Sequence, residues 1–136
     1  MRLSPDVARE RFANARVARL ATVSADHVPH LVPFTFVVLN DLIVHAVDHK
    51  PKSSTNLRRL RNIAANPHVS ALVDDYAEDW TQLWWARADG DAEIWPAAEN
   101  DVLDALAAKY PHYRETRPTG PIVAIRVTRW SGWSAS

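Results

Sequence analysis

The chain has 136 residues, 47% of them apolar, and its 16 basic and 16 acidic residues give a formal net charge of zero. This length and balance suit a single globular domain over residues 1–136 and argue against a dedicated nucleic-acid-binding protein, which would usually be basic. The absence of cysteine excludes disulfides and thiolate chemistry, and no apolar run is long enough to span a bilayer, so we expect a cytoplasmic protein that is not bound to membranes.

The first third of the chain is predicted to form one helix and three strands. Ser4 can cap a helix that begins at Pro5, because proline suits the first helical turn. The strands that follow are rich in β-branched and aromatic residues, and a tight turn at Asn40 and Asp41 joins the last two into a hairpin. They are predicted over residues 17–24, 30–39 and 42–47.

The rest of the chain is predicted to add two helices and three strands. One helix opens at residues 53–55 and stops at Asn66-Pro67, with Leu57, Leu60 and Ala64 on its apolar face. The other begins at Pro96, and residues 110–120 are predicted to form a loop. The strands are predicted over residues 68–73, from Ala86 to Trp95, and over residues 121–130. Consecutive hairpins favour an antiparallel sheet or barrel over a parallel sheet.

The segment from His49 to Arg61 is the clearest functional pattern. Residues 50–61 carry five positive side chains and no negative one. The segment follows a strand and opens a helix, and a helix N-terminus presents unpaired N–H groups and partial positive charge. It can therefore bind a phosphate, although a solvated basic helix face has the same pattern.

Other residue types give weaker indications. Trp84, Trp85, Trp130 and Trp133 lie in or near strands, where they could form core, a dimer interface or a planar-ligand pocket. His27 and His30 are three residues apart and His45 and His49 four apart, but both pairs are predicted in strand or loop, where these spacings do not place side chains on one face as a helix would. No G-x-S-x-G elbow exists, so we expect no protein-bound metal and no serine nucleophile. A bound cofactor would then supply the chemistry.

Four stretches in order resemble one family, the split β-barrel flavin and deazaflavin oxidoreductases of the pyridoxamine 5′-phosphate oxidase superfamily. Within it the chain is most similar to the actinobacterial branch assigned to coenzyme F420, a deazaflavin. The stretches are residues 18–33, residues 52–70 with their N-P-x-V sequence, residues 82–92, and the closing W-x-G strand over residues 126–133.

The resemblance implies a mainly β, α+β fold: a six-stranded antiparallel split β-barrel with about three short helices. It also implies a homodimer with the cofactor at the subunit interface. The phosphate would lie on the strand-to-helix segment, and the ring along strand backbone. The implied residues are Lys50, Lys52 and Ser53 for the phosphate, Val32, Pro33, Phe34, Thr35, His45, Ala46 and Val47 for the ring, Gln82 for a further flavin contact, and Trp130 or Trp133 from the other subunit.

The implied activity is hydride transfer between the cofactor and a small conjugated substrate. F420 is favoured because its phosphate is followed by an acidic tail that suits the basic run; FMN is the alternative. The oxidase's substrate-binding C-terminal segment has no counterpart after Trp133, so pyridoxamine phosphate is not the expected substrate. No catalytic side chain is identified. His45 is the nearest candidate proton donor, and a packed strand histidine is the other interpretation. A non-catalytic cofactor carrier or sensor remains an alternative function.

Overall fold

The computed structural model describes residues 1–47 and 54–136, with the backbone alone for residues 54–57. Over these ranges the chain forms four α-helices, seven strands and one 3₁₀ turn. In chain order they are α1 (Pro5–Asn14), β1 (Ala18–Val23), β2 (Pro29–Phe34), β3 (Val37–Leu39), β4 (Leu42–Ala46), α2 (Ser54–Ala65), β5 (His68–Asp75), the 3₁₀ turn (Trp80–Gln82), β6 (Trp84–Trp95), α3 (Asn100–Lys109), α4 (Pro111–Glu115) and β7 (Ile122–Ser134).

Local signals placed several of these elements correctly. The Ser4 hydroxyl accepts a hydrogen bond from the backbone N–H of Val7 at 3.2 Å, so it caps α1 as predicted. Asn40 has a φ of 55° in the turn between β3 and β4. A short hairpin turn needs such a left-handed residue, and asparagine tolerates it better than most side chains.

The prediction of six strands is wrong, because the segment over residues 30–39 forms two strands instead of one. The break falls at Thr35 and Phe36, between β2 and β3. There the hydroxyl of Tyr110 accepts a hydrogen bond from the Phe36 N–H at 3.0 Å and lies 3.1 Å from the Phe36 carbonyl oxygen. A side chain thus satisfies backbone groups that a continuous strand would pair with a neighbouring strand.

The prediction of about three helices also falls short, because part of the expected loop over residues 110–120 is helical. The helix α4 begins at Pro111, whose fixed φ and missing N–H suit a first helical position. The backbone N–H of Tyr113 donates to the carbonyl oxygen of Tyr110 at 3.0 Å at the start of this turn. This short helix carries Tyr113 toward the end of β2.

The strands pair antiparallel in one sheet, in the order β2-β1-β5-β6-β7-β4-β3. The sheet is not closed by hydrogen bonds, and β2 and β3 form its two edges in the described part of the chain. It is nevertheless strongly curled, because the ring of Phe34 on β2 lies 5.2 Å from the ring of His45 on β4. The arrangement is an α+β split barrel with a seam between β2 and β4.

Two apolar clusters hold this arrangement together. The barrel interior is filled around Phe12, whose ring centroid lies 4.9 Å from that of Phe36 and 5.4 Å from that of Trp130. The second cluster includes Val44, Leu106 and Ile122. It packs α3 onto the outer side of the sheet, so that β4 is buried on both faces. No helix in the described ranges is long and apolar enough to cross a membrane.

Candidate functional site

A cleft of about 390 Å³, which we call the seam cleft, lies where the end of β2 meets β4. It lies where β2 ends at Phe34 and β4 passes beside this end at His45, and α2 and α4 contribute to its walls through Arg59 and Tyr113. Its walls combine apolar side chains with a few polar groups. The lining residues are Val17, Pro33, Phe34, Thr35, His45, Ala46, Arg59 and Tyr113.

His45 is buried, and both of its ring nitrogens are engaged. Nδ1 donates to the carbonyl oxygen of Thr35 at 2.8 Å, which leaves Nε2 to accept a hydrogen bond from Nη1 of Arg59. Burial, and then the positive charge of Arg59, lower the pKa of His45 to about 3, against the opposing effect of the Thr35 carbonyl. His45 is therefore a packed neutral histidine near pH 7 and has no proton to give a substrate from Nε2.

Arg59 is the unusual charge of the site. Only 5% of its surface is exposed, and burial lowers its pKa. Its Nε has no hydrogen-bond partner among the described residues, and none of their carboxylates lies within 4.0 Å of its guanidinium group. Burying a guanidinium group without an anion is costly. Within residues 1–47 and 58–136, the seam cleft thus contains a positive charge whose hydrogen-bonding capacity is not fully used.

The burial of Arg59 departs from the predicted orientation of α2. The expected apolar face was Leu57, Leu60 and Ala64, but Ala64 is exposed, Leu60 is half-buried against the core, and the side chain of Leu57 lies outside the described residues. The helix buries Arg59, Asn62 and Ile63 instead. Asn62 donates to the hydroxyl of Thr22 on β1 at 3.0 Å. The buried face of α2 lies against polar groups of the barrel. Polar side chains on this face form hydrogen bonds with those groups, which an apolar helix face would leave unsatisfied.

Five of the residues implied for the cofactor ring line the seam cleft together. They are Pro33, Phe34, Thr35, His45 and Ala46. Val32 points into the barrel core, and Val47 is buried with its N–H donating to the carbonyl oxygen of Pro121 at 3.0 Å. The implied phosphate residues Lys50, Lys52 and Ser53 lie outside the described residues.

The remaining implied residues lie away from this cleft within one chain. Gln82 is exposed at the end of the 3₁₀ turn. Trp130 points inward and packs edge-on against Phe12. Trp133 is 39% exposed and lines a separate cleft on the outer face of the sheet.

Sequence reasoning missed three residues of the seam cleft, Val17, Arg59 and Tyr113. Arg59 belongs to the basic run. The sequence signal that could have identified it is its spacing from Asn62 and Ile63, which places the three residues on one face of the predicted helix. Tyr113 had no local signal, because it reaches the cleft only through α4 and the fold. Its hydroxyl forms a hydrogen bond with Thr35 Oγ1 at 3.0 Å. Among the described residues, no three His, Asp or Glu side chains lie close enough together to hold a metal ion.

Comparison with protein families shows which fold this is. The family model described as pyridoxamine 5′-phosphate oxidase matches residues 4–134. No curated protein gives a significant match to the chain.

Solved structures share the fold at low sequence identity. A FAD-binding protein from Mesorhizobium loti is 21% identical, with a TM-score of 0.73 over 97% of this chain and 95% of that one. A FAD binding protein from Mycobacterium smegmatis is 19% identical, with a TM-score of 0.66 over 98% of this chain and 97% of that one. A heme binding protein from the same organism is 18% identical, with a TM-score of 0.67 over 99% of this chain and 60% of that one. At these identities the likeness establishes the fold alone.

Proposed function

This chain belongs to the pyridoxamine 5′-phosphate oxidase family, and from that premise we propose that it is an oxidoreductase that binds a flavin-type cofactor in the seam cleft, with F420 favoured over FMN. The observation that carries the proposal is the buried guanidinium group of Arg59 beside the neutral imidazole of His45. Two solved relatives of the same fold are FAD-binding proteins by description, which supports a flavin-type ligand.

An anionic group of the cofactor fits the unused capacity of Arg59. Guanidinium groups bind phosphate through paired N–H donors, and such charge-assisted hydrogen bonds are about twice as strong as neutral ones. Arg59 lines the cleft and has no carboxylate within 4.0 Å among the described residues, so a phosphate there would give the buried guanidinium group an anionic partner. His45 holds Nη1 in place without competing for the anion, because it is neutral.

The other cleft residues position the ligand and exclude water. A bound flavin-type cofactor supplies hydride transfer to a small conjugated substrate. Val17, Pro33 and Phe34 offer apolar surface for a planar ring. The hydroxyl of Tyr113, hydrogen-bonded to Thr35 Oγ1, is a protic group on the cleft wall that can donate to a substrate.

The preference for F420 is based on charge. Arg58 and Arg61 are exposed on the same helix as Arg59, and residues 50–61 together carry five positive side chains. A single terminal phosphate, as in FMN, needs fewer positive groups than a phosphate followed by an acidic tail. The heme alternative that one neighbour suggests is less well served by this cleft, because both nitrogens of His45 already have protein partners.

The test is a titration of the purified protein with F420 and with FMN, comparing wild type with Arg59→Ala. Loss of a charge-assisted hydrogen bond, worth about 1.5–3 kcal/mol, should weaken cofactor binding by roughly 10- to 150-fold. Arg126→Ala, which removes an exposed arginine of β7 that does not line the seam cleft, is the control and should leave the affinity for both cofactors unchanged. Thermal melts of both variants establish that they are folded.

Each outcome of the titration bears on a different part of the proposal. Unchanged affinity in Arg59→Ala would show that the anion binds elsewhere, and the implied phosphate residue Lys52 would be substituted next. Tighter binding of FMN than of F420 would reverse the choice of cofactor. Tight binding without turnover of any electron acceptor would identify a cofactor carrier instead of an enzyme.

The proposal also includes a homodimer, for which the outer face of β1, β2, β5 and β6 offers a surface. A groove of about 530 Å³ on this face is lined by Leu31, which is 67% exposed, together with Leu72 and Tyr76. Apolar groups of this size are unusual on a free surface and are common in interfaces. Arg19 and Asp74 also line the groove, so a two-fold pairing could match opposite charges.

A further inference from the structure

A further cleft, which we call the hairpin cleft, lies between the β3–β4 turn, the end of β6 and the start of α3, and has a volume of about 400 Å³. It shares no lining residue with the seam cleft or with the groove of the proposed dimer face. The strand β4 divides the two clefts, because Val44 lines the hairpin cleft and its neighbour His45 lines the seam cleft. The hairpin cleft is therefore a separate feature of the molecule.

Most of its lining is apolar. Leu39 and Leu42 lie directly opposite each other in the strand register, and both line the cleft together with Val44 and Val102. All four belong to the second apolar cluster or pack against it. A cleft of this volume, with apolar walls and a few polar groups, has the character of a small-molecule binding site.

Trp95 provides an aromatic surface in a fixed orientation. It is the last residue of β6, is half-buried, and donates from its indole N–H to Oε1 of Glu93 at 3.0 Å. Arginine side chains lie over the rings of Trp84 and Trp85, but no described lysine or arginine lies over the ring of Trp95. The indole of Trp95 is thus free to contact a cation on a ligand in the cleft.

The charged groups of the hairpin cleft are carboxylates. Glu99 and Asp101 line it, and no lysine, arginine or histidine does. Neither carboxylate has a basic side chain within 4.0 Å over the described ranges. Arg9 approaches the rim, but its Nε and Nη2 donate to the backbone carbonyl oxygen of Asn40 at 3.1 and 2.6 Å. The cleft therefore has a net negative lining next to Trp95.

The two carboxylates differ in what they do for the fold. Asp101 lies in the first turn of α3, where a negative charge stabilises the helix, and its Oδ1 accepts a hydrogen bond from the Val102 N–H at 2.9 Å. Glu99 occupies the N-cap position, but its side chain forms no capping hydrogen bond. Glutamate is not one of the residues that usually cap a helix. Glu99 is therefore the charge in this cleft that α3 does not use.

We propose that the hairpin cleft is a binding site for a small organic cation, a protonated amine on a flat apolar body. The apolar body packs against Leu39 and Leu42, and the ammonium group lies between the carboxylate of Glu99 and the ring of Trp95. Tryptophan faces and carboxylates both attract ammonium groups, and the apolar walls favour the rest of the ligand. This inference does not depend on the proposed cofactor site.

Isothermal calorimetry with three matched probes tests the ligand class: naphthalen-2-ylmethylamine, uncharged naphthalene-2-methanol and naphthalene-2-carboxylate. The amine should bind at least about fivefold more tightly than the alcohol, because only the amine gains the cation–π contact and the ion pair, and the acid should bind most weakly. Added sodium chloride should weaken the amine and not the alcohol. Equal binding of amine and alcohol, or no binding of the amine, would overturn the proposal.

Substitutions then locate the site. Glu99→Gln should weaken binding of the amine by about threefold or more and leave the alcohol unchanged. Glu115→Gln makes the same chemical change at an exposed residue that does not line the cleft, and should have no effect. Ala97→Phe fills the cleft from an exposed lining position and should weaken the amine and the alcohol alike. Thermal melts establish that the variants are folded. Equal effects of Glu99→Gln and Glu115→Gln would place the probe elsewhere and refute the proposal.

The same titration in the presence of saturating F420 separates this site from the proposed cofactor site. Unchanged affinity for the amine supports binding in the hairpin cleft, whereas competition would place the amine in the seam cleft and refute the proposal. Arg59→Ala should weaken the cofactor without affecting the amine. The failure of either proposal can therefore be recognised without the other.

Discussion

The buried pair of His45 and Arg59 should make the protein sensitive to mild acid. In the folded state the pKa of His45 is lowered to about 3, whereas an unfolded histidine titrates near 6.5. Between these values the unfolded chain binds one more proton than the folded chain. The stability that comes from the neutral ring is therefore fully present above about pH 6.5 and is lost progressively as the pH falls toward 3.

The size of this effect follows from linkage. Between pH 7 and pH 5 a single histidine with this difference in pKa should reduce the free energy of unfolding by about 2 kcal/mol. Urea unfolding at pH 7, 6 and 5 measures the loss in wild type. In His45→Gln, which keeps a polar atom near Arg59 without a titrating ring, the corresponding loss should be about 2 kcal/mol smaller.

A matched control separates His45 from the other histidines and the carboxylates. His112→Gln replaces an exposed histidine and should retain the pH dependence of the wild type. If wild type and His45→Gln lost stability in parallel, the buried imidazole would have to take up a proton beside Arg59 without penalty, and its assignment as a neutral acceptor would be wrong. His45→Gln should also be less stable than wild type at pH 7, because the Thr35 and Arg59 contacts are reproduced only in part.

Two further predictions concern the assembly and the sheet. Leu31→Asp places a charge on the apolar groove of the proposed dimer face and should shift the protein toward the monomer in analytical ultracentrifugation; an unchanged sedimentation coefficient would locate the interface on another surface. Gly90 lies at the bulge between β6 and β7, where an added Cβ would overlap the backbone carbonyl of Arg126, so Gly90→Ala should cost at least about 2 kcal/mol in urea unfolding. A variant as stable as wild type would mean that the bulge can move without loss.

Sequence and structure agree best where the determining interactions are short in range. The start of α1 depends on Ser4 and Pro5, which are adjacent, and the turn at Asn40 depends on a single residue that tolerates positive φ. Small residues alternate with charged ones along β6, which indicates one face toward the core, and Ala86, Ala88 and Ala92 on that face are buried. The family resemblance also depends on short-range patterns, because its motifs lie mostly in strands and turns.

The candidate site depends on contacts between residues far apart in the chain. Tyr110 breaks the strand at Phe36 across 74 positions, and Tyr113 reaches Thr35 across 78. No local pattern in the β2–β3 segment indicates either contact. The sequence alone therefore predicted one strand at the position where the end of β2 opens the seam cleft.

The basic segment combines a short-range sequence signal and a long-range tertiary effect within a single helix. Its composition, read by itself, predicted an anion site near the start of α2, and that inference came from local charge and the helix N-terminus. Which arginine turns inward depends on what the helix packs against. The curled sheet presents Thr22 and His45 to α2, and these polar groups pair with Asn62 and Arg59. Burial of Arg59 follows from this pairing across the barrel. The sequence alone could not predict it, because hydropathy along the helix carries no information about the partners that will satisfy its polar side chains.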